Sequence, residues 1–110
     1  MTNDNRTSNE IVVQDNTLPE VMVISDPNLI CILLHEQKRQ ILSAIFSEMK
    51  NIQEIKAKTG INPGTIKRHL DELMVHHLVV IRDTKKSDYN ITMKYYQAAA
   101  KRFEIKYTLQ

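Results

Sequence analysis

The regular recurrence of apolar positions is clearest between residues 63 and 74. There Ile66, Leu70, Leu73 and Met74 fall at i, i+4, i+7 and i+8, the spacing of one buried face of an α-helix. A shorter helix precedes it, with Ile52, Ile55 and Ala57 turned inward. Each end carries its own stop or start. Asn51 with Glu54 three residues on forms a capping box, and Gly60 stands where the first helix must turn out. Asn62-Pro63 then restarts the chain as an N-cap followed by proline at the first helical position. Ile61, between the two, can plug the gap where they cross. Two further helices are predicted upstream. One starts at Ser25-Asp26-Pro27 and is lined by Leu29, Ile30, Leu33 and Leu34. The other starts near Glu36 or Gln37 and carries Ile41, Leu42, Ile45, Phe46 and Met49.

Downstream the period changes. Leu78-Val79-Val80-Ile81 is a β-branched run, Arg82 to Asp88 is a polar, basic tip, and Tyr89 to Tyr96 returns in strand-forming residues. Ala98-Ala99-Ala100 suggests helix, but Ile91, Met93, Tyr95, Ala99, Phe103, Ile105, Tyr107 and Leu109 share one parity between polar neighbours. That alternation favours one long second strand running to the end. At the other end, residues 1–10 are polar and expected to be disordered. Residues 11–25 form an extended arm holding Ile11-Val12-Val13 and Val21-Met22-Val23-Ile24. Residues 26–110 then make one domain with a C-terminal extension. The fold class expected is mainly α with a small β-hairpin, an α+β winged helix-turn-helix.

Charge sharpens this picture. The net charge of the 110 residues is only +2, but its distribution is uneven. Lys56, Lys58, Lys67, Arg68, Arg82, Lys85 and Lys86 fall in the paired helices and the hairpin, whereas Asp4, Glu10, Asp15, Glu20 and Asp26 lie near the start. A basic face can bind phosphates while the whole chain stays near neutral. On the second helix of the motif, Asn62, Gly64, Thr65, Lys67 and Arg68 are the candidate contacts to a DNA major groove. Gly64 and Thr65 are small enough to bring the helix N-terminus to a phosphate, Lys67 supplies a cation, and Arg68 can fork onto a guanine edge. Asp71 and Glu72, one turn on, weaken that face. On the hairpin, Arg82, Lys85, Lys86 and Lys94 are the candidate backbone contacts.

The chain resembles the ArsR-type winged helix-turn-helix transcriptional regulators, in particular the small archaeal members. The resemblance rests on Asp26-Pro27, Lys38-Arg39-x-x-Ile41-Leu42, Ile52-x-Glu54-Ile55, Thr65-Ile66-x-x-His69-Leu70-x-x-Leu73, Leu78-Val79 and Tyr95-Tyr96-x-Ala98-x-Ala100-Lys101, over about residues 26–103. It implies a dimeric, sequence-specific protein that binds double-stranded DNA, generally as a repressor. His77 departs from the pattern, standing where the family usually ends the second helix with glycine. Histidine tolerates the left-handed conformation better than most residues, so the turn is expected to be kept.

Other functions find less support. No Gly-rich phosphate loop and no nucleophile–base pair marks an enzyme. Family metal sensors use cysteines in the second helix or Asp/His pairs near the C-terminus. Here residues 51–76 hold no cysteine, and no His or Asp follows Asp88. His69, His76 and His77 lack a carboxylate or thiolate to complete a site, so no metal and no cofactor is expected. His69 is read as a packing or phosphate-contacting residue, and Cys31, in an apolar run, as a core or dimer-interface thiol. With no run of 18 or more apolar residues and no signal peptide, no membrane is expected and the location is cytoplasmic. The apolar first helix and alternating C-terminus call for a partner surface, hence a homodimer, with the N-terminal Val/Ile segments a candidate to pair with the C-terminal strand. The alternative is a winged helix used as a protein–protein interaction module of a larger assembly.

Overall fold

The computed structural model describes residues 18–110; the expectations for residues 1–10 and for Ile11-Val12-Val13 lie outside the described residues. The order of elements is β1 (Val21–Ile24), α1 (Pro27–Leu33), α2 (Glu36–Ile45), α3 (Ile52–Thr59), α4 (Pro63–Val75), β2 (Val79–Lys86), β3 (Thr92–Ala98) and β4 (Arg102–Ile105). It is an α+β winged helix-turn-helix: the helices lead, and the β2–β3 hairpin follows α4 directly.

Local chemistry sets the helix ends. The Asp26 carboxylate accepts the Asn28 N–H at 2.8 Å, with Pro27 opening α1. At α3 the capping box is closed both ways, Glu54 N–H to Asn51 Oδ1 at 2.8 Å and Asn51 N–H to Glu54 Oε1 at 3.0 Å. Gly60 ends α3 at φ 75°, a conformation that costs glycine nothing. α4 ends in a Schellman motif: Leu78 N–H reaches back to the Leu73 carbonyl at 2.9 Å and His77 N–H to that of Met74 at 3.0 Å. His77 sits at φ 62°, so the left-handed turn is kept without glycine.

The core gathers where α2, α3, α4 and the hairpin meet. Ile41, Ile45, Ile55, Ile66, Leu70, Leu73 and Ala98 are fully buried. Each large aliphatic side chain removed from water in this way contributes about 1.5–3 kcal/mol. Ile61 is buried in the turn between α3 and α4, as its position suggests. Ala57 is exposed instead. It lies two residues past Ile55, about 200° around the helix, and so on the opposite face. Met49 lies beyond α2, which stops at Ile45. Cys31 is exposed, which removes it from the core. It sits three residues before exposed Leu34, on the outer face of α1.

The C-terminal half corrects the single long strand. β3 pairs antiparallel with β2 and stops at Ala98. β4 then pairs parallel with β1, Val21 opposite Arg102 and Ile24 opposite Ile105. Ala98, Ala99 and Ala100 are consecutively buried, which a two-residue alternation cannot provide. The chain turns there, and Lys101 and Arg102 donate to the carbonyls of Pro19 and Glu20 at 3.0 and 3.2 Å. The inward parity of β3 is also the other one. Tyr96 is 2% exposed, whereas Tyr95 is only partly covered. Tyr96 exchanges backbone hydrogen bonds with Lys50 at 2.8 and 2.9 Å, tying the hairpin to the residue before the α3 cap.

Candidate nucleic-acid interface

α4 is the exposed second helix of the pair, and its first turn is capped as Asn62-Pro63 predicts. Asn62 Oδ1 accepts the Gly64 N–H at 2.8 Å and the Thr65 N–H at 3.4 Å, and the Asn62 carbonyl accepts the Ile66 N–H at 2.9 Å. Pro63 has none to give. The helix start therefore offers no spare amide to a phosphate while Asn62 caps it. The smallness of Gly64 serves the cap itself, since a Cβ there would sit 3.2 Å from Asn62 Oδ1. Binding at this end falls to side chains.

Two of those side chains differ in kind. Lys67 is held by Asp71 one turn on, Nζ to Oδ1 at 2.7 Å. Arg68 is exposed on the same helix. Glu72 is drawn to Lys38 of α2 at 2.9 Å, and that hydrogen bond holds its carboxyl below the usual carboxylate range. Both acidic groups on α4 are thus neutralised by nearby lysines, and Arg68 is left as the guanidinium of this face. The Lys38–Glu72 pair also ties α4 to α2, with the Lys38 side chain 7% exposed.

His69, next to Arg68, faces inward. It is 5% exposed, and its Nε2 lies 3.1 Å from Gln37 Oε1. The amide oxygen can only accept, so Nε2 carries the hydrogen and Nδ1 is the bare nitrogen, buried without a partner. The His35 ring lies 5.0 Å away. Burial first, then the charges of Lys38, His35 and Arg68, push the His69 pKa below its ordinary 6.5, against a smaller pull from Glu72. This is the packing role, not a phosphate contact. The folded state thus binds fewer protons here than the unfolded chain, so its stability is intact above about pH 6.5 and falls as pH drops through the lowered value. Unfolding by urea at about pH 7.5 and about pH 5.5 should show the loss, and His69→Gln should make it smaller.

The wing lies beside α4. A groove of about 420 Å³ runs between them, with Asn51 and Gln53 from the α3 end, Lys67 from α4, and Thr92 and Lys94 from β3 on its walls. Thr84 pairs with Lys94 and Lys86 with Thr92, so Lys86 shares the face that includes the groove-lining Thr92 and Lys94. Lys85, one residue earlier, points to the other face, its Nζ 5.1 Å from the centre of the Tyr95 ring. The residues expected to form the tip, from Arg82 onward, lie within β2 up to Lys86, and the turn spans Ser87 to Ile91. Arg82 stands elsewhere. The register shifts between Ile81 and Asp83, making Arg82 the extra residue of a bulge. It lines a second groove at the wing base with Phe46, Glu48, Gln97 and Lys101.

The structure therefore gathers Lys67, Lys86 and Lys94 on one side of the hairpin, carries Arg68 on the adjacent helix, and separates Arg82 from them. Gln53 was not among the sequence candidates. Its one signal is an exposed polar side chain in the first turn of α3. Among the described residues, no group of three or more His, Cys, Asp or Glu is placed to hold a metal ion, and no helix is long and apolar enough to cross a membrane.

Residues 35–79 match the family model described as bacterial regulatory protein, arsR family. The match runs from the cap of α2 through α4 to the first residue of β2, so it contains the whole helix pair and stops where the wing begins. No curated protein matches the chain. With α3 and α4 paired as above and the wing following, the chain carries a winged helix-turn-helix whose helical part is similar to the arsR family of bacterial regulatory proteins.

Proposed function

We propose that the protein acts as a homodimeric, sequence-specific repressor on double-stranded DNA, through binding alone and with no chemical step, metal or cofactor. Each protomer lays α4 in a major groove. Arg68 reads a base edge, Thr65 and Lys67 touch the adjacent strand, and Asn62 and Gly64 hold the helix start in shape. Lys85 and Lys86 of the wing rest on phosphates. The observation that carries this reading is the juxtaposition of an exposed Arg68 on α4 with a lysine-bearing groove between that helix and the wing. Arg82, at the bulge, is the least direct member of the wing set. A cytoplasmic location follows from the target.

The test is salt-dependent binding to the chain's own upstream DNA and to a scrambled duplex. Specific binding should exceed scrambled binding, and Lys85→Ala with Lys86→Ala should weaken both alike. The slope of log affinity against log salt should flatten by roughly one unit per lost contact. An unchanged slope would remove the wing from the phosphates.

Dimerisation has its own support. Leu33, Leu34, Leu42, Phe46, Phe103 and Ile105 line an open groove formed by α1, α2 and β4, and Leu34 is 58% and Ile105 44% exposed. Apolar surface of this kind marks contact sites, and two half-sites need two protomers. Light scattering at micromolar concentration should give twice the monomer mass. A monomer that stays single on DNA counts against the dimer.

A further inference from the structure

The groove at the wing base is built differently from the one beside α4. It measures about 430 Å³, within the roughly 300–1,000 Å³ of small-molecule sites. Three parts of the chain wall it. Phe46 and Met49 come from the end of α2 and the residues after it, Arg82 and Gln97 from the hairpin, and Lys101 from the turn between β3 and β4. Leu18 completes the apolar side. The walls are already tied to one another. Gln97 Nε2 donates to the Phe46 carbonyl at 3.3 Å. Next along the chain, Lys50 and Tyr96 exchange backbone hydrogen bonds. Ala100, 1% exposed, adds no bulk between them.

The lining is apolar on one side and cationic on the other. Leu18, Phe46 and Met49 are all partly exposed, so the apolar side is open to contact. Arg82 is the extra residue of the bulge, a device that re-aims a side chain, and here the displaced residue becomes a groove wall. Lys101 is paired loosely with Glu20, at 3.7 Å between side chains 66% and 68% exposed, a contact that an added anion can replace at little cost. The carboxylate of the groove itself, Glu48, is turned to Lys50 at 2.9 Å, which compensates its charge. A DNA phosphate would use the cations and leave the apolar side wet, and a neutral apolar molecule would do the reverse. A small carboxylate on an apolar body uses both, its two oxygens matching the flat fork of an arginine.

We propose that this groove is an effector site for a small organic carboxylate with an apolar body: the body lies against Leu18, Phe46 and Met49, and the carboxylate is held by Arg82 and Lys101. Such a ligand is felt in two directions. Phe46 also walls the apolar groove of α1, α2 and β4 and meets Phe103 edge-on at 5.2 Å, whereas Arg82 belongs to the wing strand β2. A ligand that favours one arrangement of these parts changes the affinity for DNA, and DNA changes the affinity for the ligand by the same factor. Ligand binding stands apart from the DNA-binding reading above; the effector role rests on it.

The experiment titrates the full chain with benzoate, phenylacetate and hexanoate, followed by calorimetry and by the backbone amide NMR signals of Met49, Gln97 and Lys101. Acetate carries the charge without the body, and benzyl alcohol the body without the charge. At least one of the three acids should bind with a Kd of about 1 mM or tighter and move those signals, and both controls should bind at least about tenfold more weakly. Arg82→Gln with Lys101→Gln should weaken the best acid about tenfold with the melting temperature kept. Lys56→Gln with Lys58→Gln, two cations of α3 outside the groove, should bind it as the parent does. If none of the acids binds, or the Arg82 and Lys101 variant binds as the parent does, the site is overturned. Affinity for a duplex recovered from a random-sequence pool is then measured with and without the saturating acid. A change of about threefold or more supports the effector role, and no change overturns that role while DNA binding stands. If the parent recovers no duplex, the DNA-binding reading and the effector role fall together, and the titration alone judges the site.

Discussion

Truncating Leu70 to alanine should cost about 2–5 kcal/mol of folding free energy. Leu70 is fully buried on the inner face of α4, with Ile66 and Leu73 also at 0% exposure beside it on the same helix. Removing it loses the transfer energy of the side chain and leaves a cavity that rigid neighbours fill only in part. For a domain of this size the whole stability is of order 5–15 kcal/mol, so the variant should melt roughly ten degrees or more below the parent. Urea unfolding should show a lower midpoint with the same slope. Val75→Ala, at a position 51% exposed, is the control, and its effect should lie within about 0.5 kcal/mol. A Leu70→Ala protein as stable as the parent would mean that α4 does not pack as described.

Arg68→Ala should leave the melting temperature unchanged and cost on the order of 1–3 kcal/mol in binding at the specific DNA site, with relaxed discrimination at one base position. The reason lies in what its neighbours do. Lys67 is drawn to Asp71, Glu72 to Lys38, and the first amides of α4 to Asn62. That leaves the guanidinium as the group on this face with the reach and geometry for a base edge. Binding to scrambled duplex should fall much less, since only one phosphate-scale charge is lost there. Equal binding of both duplexes by variant and parent would show that this helix does not read DNA. The protein-interaction alternative would then be the stronger one.

The helix pair was legible because its signals are local. Asn51 with Glu54, Gly60, and Asn62-Pro63 each act through residues within a turn of themselves, and the 66–70–73–74 face needs only the helical period. His77 was legible for the same reason, since one left-handed residue closes the Schellman turn. What escaped depends on contacts far apart in the chain. Alternation from Ile91 to Leu109 does not reveal that three alanines in a row can all be buried where β3 gives way to β4. Nor does it show that Tyr96, not Tyr95, meets Lys50 and the core. The bulge at Arg82 shifts a cation away from the tip without any sign in composition. At the start of α4 an N-cap side chain and a phosphate compete for the same amides, and the motif alone does not say which wins. Cys31 reads as a core or dimer-interface thiol from its apolar neighbours, and the core half of that reading falls because on a helix of seven residues only one stripe is covered.

The parallel pairing of β1 with β4 has a kinetic side. Val21 meets Arg102 across nearly the whole described chain, whereas β2 meets β3 across a short turn and α3 meets α4 across Gly60 to Asn62. Closing so long a loop costs entropy that the local pairings do not face, so this parallel pairing is intrinsically slow to form. Release of that clamp alone would withdraw Phe103 from its edge-on contact with Phe46 and dissolve the wall that Phe103 and Ile105 give to the apolar groove. The helix pair and the wing would remain intact. In the proposed dimer, pairing through that groove would then depend on a latch that the α3–α4 pair and the wing do not share.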